Sequence, residues 1–124
     1  MTQPNCEARV RGALESTIDD IREAIGSNEL FDLGLGFDYV APGTFNDQTE
    51  GYWRYQLSWG GPSDEFRFFA FDLEDRSPTV EYWFLDWFDG ASRNLYGTDL
   101  DLLHTVWNDF MDIGSVEHAY NEAE

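Results

Sequence analysis

The chain has 124 residues, with 25 Asp plus Glu against seven Arg and no Lys, a formal net charge of −18 at pH 7. That length suits a single domain, residues 1–124, with a core of its own, and an aromatic content of 17% excludes a disordered acidic tail. The lone Cys6 excludes a disulfide framework and every multi-cysteine zinc pattern.

Residues 6–25 read as an amphipathic helix. Val10, Leu14, Ile18, Ile21 and Ile25 recur at three- and four-residue steps on one face, and Gly26 supplies the stop. Residues 27–34 suit a short helical turn, residues 36–40 a short strand, and residues 41–51, with their Pro, Gly, Asn and Asp, a loop. Residues 52–59 alternate, with Trp53, Tyr55, Leu57 and Trp59 opposite Arg54, Gln56 and Ser58. Turns at 60–64 and 72–78 separate this strand from two more, 65–71 and 79–88. The short connections predict an antiparallel meander. A second long helix starts at Gly97, with Thr98 as its cap and Asp101 completing a capping pair. Its buried stripe is Leu102, Leu103, Val106, Trp107, Phe110 and Ile113. His104 falls on the wet stripe as a plain surface residue. Residues 115–124 read as a frayed acidic tail. The expected class is α+β: an N-terminal helix, a meander of three to four strands, and a C-terminal helix packed on the sheet.

The chemistry-bearing patterns are missing. The sequence has no glycine-rich phosphate loop, no His-Glu-x-x-His and no Gly-x-Ser-x-Gly. His104 and His118 stand apart, and Cys6 has no histidine near it in sequence, so it reads as a structural thiol. The acidic clusters at 72–75 and 99–101 lack the twelve-residue loop of a calcium site. The expectation is a non-enzyme without metal or cofactor. A small carbohydrate-active domain, with a carboxylate pair and tryptophans stacking on sugar rings, is the weaker enzymatic alternative. No apolar run approaches a membrane span, and the first residues carry no secretory pattern. A reduced cytoplasm is the expected compartment.

Charge is the strongest signal. It disfavours direct binding to nucleic acid or to an anionic membrane, because nucleic-acid affinity comes from cations that neutralise phosphates. It favours basic surfaces, which attract an acidic partner over distance. Residues 63–124 hold 15 acids and three Arg, residues 1–62 ten acids and four Arg, so the second half carries most of the field. Salt adaptation is the plainer explanation of the same charge. Thirteen of the 21 aromatic residues lie between Tyr52 and Phe88. Strands 65–71 and 79–88 carry large apolar groups on both faces. Either both faces are covered, by helices or by a second copy of the chain, or one face exposes an aromatic patch rimmed by acids.

The segments 52–66 (YWRYQLSWGGPSDEF) and 81–91 (EYWFLDWFDGA) resemble those of small proteins carried by bacterial phages and plasmids. In general character the chain resembles the DNA-mimic inhibitors of mobile elements, the antirestriction and anti-CRISPR proteins. The resemblance implies a small, non-catalytic protein that occupies the nucleic-acid groove of a host defence complex. Those inhibitors share no sequence motif, so no residue role transfers. Seven Arg and the heavy aromatic content depart from pure charge mimicry and suggest a mixed interface.

The expected partner is therefore a basic nucleic-acid-binding protein or complex: a CRISPR effector or a restriction enzyme. For an immunity protein or antitoxin, the alternative, it is a nuclease toxin. The candidate residues for the field are Asp72, Glu74, Asp75, Glu81, Asp86, Asp89, Asp99, Asp101, Asp109 and Asp112. Tyr52, Trp59 and Trp87 are candidate apolar anchors, since large aromatics dominate binding hot spots.

Overall fold

The computed structural model describes residues 5–27, 34, 36–58, 62–86 and 89–123. Helix α1 (Cys6–Gly26) precedes five strands: β1 (Gly36–Val40), β2 (Tyr52–Ser58), β3 (Ser63–Phe69), β4 (Thr79–Asp86) and β5 (Asp89–Asn94). Helices α2 (Gly97–Asp112) and α3 (Ser115–Glu122) close the chain. The strands form one antiparallel sheet in chain order. The expected α+β meander is present, with an additional strand at its end. β5 reads Asp-Gly-Ala-Ser-Arg-Asn, which has no alternation to announce it. It forms because Ala91, opposite Phe84, is small enough to sit buried beneath α1.

Alternation along the strands sorts side chains onto two faces. On one, Phe37, Tyr55, Phe66 and Tyr82 lie in one cross-strand row, and Tyr39, Trp53, Phe68 and Val80 in the next. All three described helices pack on this face. α1 lies over β4 and β5 with Val10, Ile18 and Ile21 buried. α2 inserts Trp107 between Phe68, 5.1 Å away centroid to centroid, and Trp53, at 5.4 Å. Trp53 donates its indole N–H to the Val116 carbonyl of α3 at 3.0 Å, so a large ring enters the core without an orphaned polar group.

The terminal elements differ from expectation in three ways. Residues 115–122 are a packed helix, not a frayed tail, because Val116, Ala119 and Tyr120 fall on one side of it; the first two are buried and Tyr120 lies against Tyr39 at 5.0 Å. Gly97, at φ +62°, turns the chain into α2 one residue before Thr98. Tyr96 therefore takes the cap position, with no side-chain cap bond, and the Thr98–Asp101 pair is not formed. His104 is half-buried, its Nε2 2.8 Å from the Pro78 carbonyl, whereas Ile113 is 60% exposed beyond the last turn of α2.

The second sheet face carries a different population. One row reads Asp38, Arg54, Arg67, Glu81 straight across β1 to β4, and the adjacent one Gln56, Glu65, Trp83. Arg54 forks onto Asp38 at 3.0 and 2.7 Å. Arg67 donates to Glu65 at 2.7 Å while its guanidinium lies over Trp83 (4.0 Å to the centroid) and Tyr52 (4.7 Å). Aromatic residues do occupy this face, but interleaved with ion pairs.

Candidate acidic interface

A concavity of about 830 Å³ lies at one end of the sheet, where β1 and β3 finish and β2 and β4 begin. Tyr39, Trp53 and Phe69 line its strand side, and Tyr120 of α3 borders it. Opposite stands the turn between β3 and β4, which brings Phe71, Asp72, Leu73 and Asp75 to the rim. Glu50 and Glu81 add two further carboxylates. Gly51 lets the Tyr39 ring lie close, because a Cβ at that position would come within 2.0 Å of the Tyr39 hydroxyl and displace it.

The β3–β4 turn is held by its own acids and by α2. Asp72 Oδ1 accepts from the Glu74 N–H, and Asp75 accepts from the N–H groups of Phe71 and Ser77, each at 2.8 Å. These side-chain-to-backbone bonds stand in for the ladder that the turn lacks. From α2, Trp107 Nε1 donates to the Asp75 carbonyl at 2.7 Å, and Arg76 reaches back to Asn108 and Asp112 at 2.9 Å. The buried tryptophan that fills the core thus also fixes the acidic rim. Phe71 is 93% exposed on this anchored turn, with Leu73 beside it in the chain.

Of the acids singled out from the sequence, Asp72, Asp75 and Glu81 line this cleft, and Glu74 sits in the same turn. Asp112 belongs to the support, paired with Arg76, which offsets the unfavourable placing of a carboxylate at a helix C-terminus. Asp109 is half-exposed in the last turn of α2; Asp99 and Asp101 lie in its N-terminal part, half-exposed and exposed respectively.

Asp86 and Asp89 are elsewhere, at the opposite end of β4, and serve α1. Asp86 pairs with Arg9, whose guanidinium lies 4.8 Å from the Phe84 ring centroid. Asp89 Oδ2 accepts the Cys6 N–H at 2.8 Å, a helix-start N–H that would otherwise lack a partner. That bond holds the Asp89 carboxyl below its ordinary range. The Cys6 thiol is buried, and burial with Asp89 beside it pushes its pKa up, which disfavours the reactive thiolate.

Tyr52 is not the exposed anchor expected from the sequence. It is 2% exposed, with Arg67 over its ring and Phe69 at 5.5 Å. Trp59 and Trp87 lie outside the described residues. The sequence reading missed Glu50, Phe71, Leu73, Tyr39 and Tyr120 as cleft residues. For Tyr120 a signal existed: Val116, Ala119 and Tyr120 keep the three- and four-residue spacing of a helix face.

A second polar cluster joins α1 to the sheet. The Asp64 carboxylate accepts from Tyr82 at 2.7 Å, from Thr17 at 3.2 Å and from Ser58. Burial raises the Tyr82 pKa strongly, so its hydroxyl stays protonated as a donor. No histidine takes part in these bonds. Among the described residues, no group of three or more His, Cys, Asp or Glu is placed to hold a metal ion, and no helix is long and apolar enough to cross a membrane.

Comparison of the chain with protein families, with curated proteins and with solved structures returns no match.

Proposed function

We propose that this protein is a non-catalytic inhibitor that docks its acidic surface on the basic, nucleic-acid-binding surface of a host defence complex, in the manner of an anti-CRISPR or antirestriction protein. The observation that carries this reading is the disposition of its cations. All seven arginines lie within salt-bridge distance of a carboxylate of the same chain. Each positive charge thus has a carboxylate of the same chain beside it, and the excess of 18 negative charges sets the field that a partner meets. The exposed Phe71 and Leu73 on the anchored acidic turn supply apolar contact within that field. Aromatic and aliphatic anchors inside a charged rim suit a specific interface better than a merely hydrated surface.

The test is competition. Purified restriction and CRISPR effector complexes, loaded with labelled DNA, are titrated with the protein at rising salt. The expected result is displacement of DNA that weakens steeply with salt. Neutralising Asp72, Glu74, Asp75 and Glu81 one after another should erode displacement step by step. Displacement that is indifferent to salt would overturn electrostatic competition, and an abrupt loss at one carboxylate would point to a catalytic role.

A further inference from the structure

A second concavity of about 370 Å³ lies on the sheet face that bears no described helix, beneath the loop 41–51. It shares Glu50, Phe69 and Glu81 with the cleft at the sheet end, so the two form one bent groove. The loop above it is internally braced. Gln48 Nε2 donates to the carbonyls of Ala41 and Glu50 at 3.0 and 2.9 Å, and its Oε1 accepts the Phe45 N–H at 3.0 Å. Asp47, at φ +60°, is the one described non-glycine residue in the left-handed region, a conformation that costs energy and gathers at functional sites. The result is Phe45 held 53% exposed over the second concavity, as Phe71 is over the first. Among the described residues, three of the five exposed large hydrophobic ones, Phe45, Phe71 and Leu73, line this groove. The acids along it are Asp47, Glu50, Asp72, Asp75 and Glu81.

What the groove suits is displayed by the chain itself. Within it, Arg67 lies over the Trp83 and Tyr52 rings with Glu65 accepting from its Nε. A planar cation that stacks on rings and is hydrogen-bonded in its plane is a guanidinium, not an ammonium. Aromatic rings beside carboxylates continue along the groove. Tyr52 also lines it, 2% exposed, and among the described residues its hydroxyl has no hydrogen-bond partner. A buried polar group left in that state gains from a ligand atom that satisfies it.

We infer that the bent groove between Phe45 and Phe71 receives an arginine-bearing segment of the partner and prefers arginine to lysine. This rests on the reading of a basic partner given above and assigns its point of contact. A flat carboxylate surface distinguishes the two cations only through the bidentate fork of the guanidinium; rings beside the carboxylates add stacking, which widens the preference.

The experiment titrates the protein with oligo-arginine and oligo-lysine peptides of equal length, following tryptophan fluorescence and heat. The expected result is tighter binding of oligo-arginine, by about fivefold or more. Glu81→Gln combined with Phe45→Ala and Phe71→Ala should weaken it about tenfold and remove the preference. Asp20→Asn with Glu23→Gln, exposed on α1 and away from the groove, should leave the preference for arginine unchanged. Circular dichroism of each variant confirms that the fold persists. Equal affinity for both peptides, with the α1 variant as damaging as the groove variant, would overturn the groove assignment while leaving the basic-partner reading intact. Failure to bind either peptide at low salt would overturn both.

Discussion

The two faces of the sheet use the same alternating strands for opposite ends. The helix-covered face excludes charge from its centre. Phe66, Phe68, Val80, Tyr82 and Trp107 are all fully buried there, and its tryptophan N–H groups are satisfied by carbonyls of other elements. The opposite face gathers charge: Arg54 and Arg67 stand directly across from one another on neighbouring strands, where like charges repel. Asp38 and Glu65 compensate them, and aromatic rings take up the rest of the Arg67 guanidinium. The first face holds the fold together by burial. The second is arranged so that cations are closed off and carboxylates are left at the edges.

That contrast predicts unequal costs for two tryptophans. Trp107→Ala removes a fully buried ring and the bond that anchors Asp75, and should cost about 4 kcal/mol. Trp83→Ala removes a half-buried ring stacked on Arg67, and should cost about 1–2 kcal/mol. Urea unfolding of the two variants checks the difference. Equal losses would mean that the second face is as much a core as the first.

The strong periodicities were legible in the sequence. The stripe of α1, that of α2 as far as Phe110, and the alternation of β2 as far as Leu57 appear where spacing places them, because burial on one side selects residues at those intervals. β5 was not legible, since its pairing is set by the strand beside it and not by its own side chains. α3 was overlooked for a related reason: eight residues with five polar side chains besides Tyr120 look like a tail until Tyr39 and Trp53 supply something to pack against. For the site, the acids of the β3–β4 turn could be named but not placed. Asp86 and Asp89 look the same in sequence as Asp72 and Asp75. Only the fold shows that the first pair holds α1 while the second lines a cleft. Tyr52 misled because a residue at the start of a strand gives no sign of the arginine across the sheet that stacks on it.

A sharper division of the two faces comes from the Arg67–Glu65 pair. Glu65 is 3% exposed, so Arg67→Ala leaves a buried carboxylate without its cation, and the expected loss is about 3 kcal/mol. Replacing both residues together, by Arg67→Met and Glu65→Leu, should recover most of it, because a buried pair often contributes little net stability over apolar groups of similar size. A double-mutant cycle in urea measures this. Recovery of stability together with lost preference for oligo-arginine would show that the pair and its flanking rings serve recognition. Failure to recover would assign the pair to the fold, alongside Trp107.

The smallest effect concerns Asp89, which stands at the margin of the helix-covered face and ties the end of the sheet to α1. Its carboxyl titrates below the ordinary range, chiefly because it accepts the Cys6 N–H. A carboxyl with a depressed pKa in the folded state stabilises the fold above its unfolded pKa. That contribution is lost as pH falls through the folded value. Asp89→Ala should therefore be modestly less stable than the unaltered protein at neutral pH, by less than either substitution above. The gap should close as pH drops below the usual carboxylate range. Both proteins should gain stability on mild acidification, since protonation relieves the self-repulsion of a −18 chain. Only the difference between them isolates the bond. A gap that persists unchanged to low pH would mean that Asp89 acts through contacts that do not depend on its charge, and that α1 is held to β5 by packing alone.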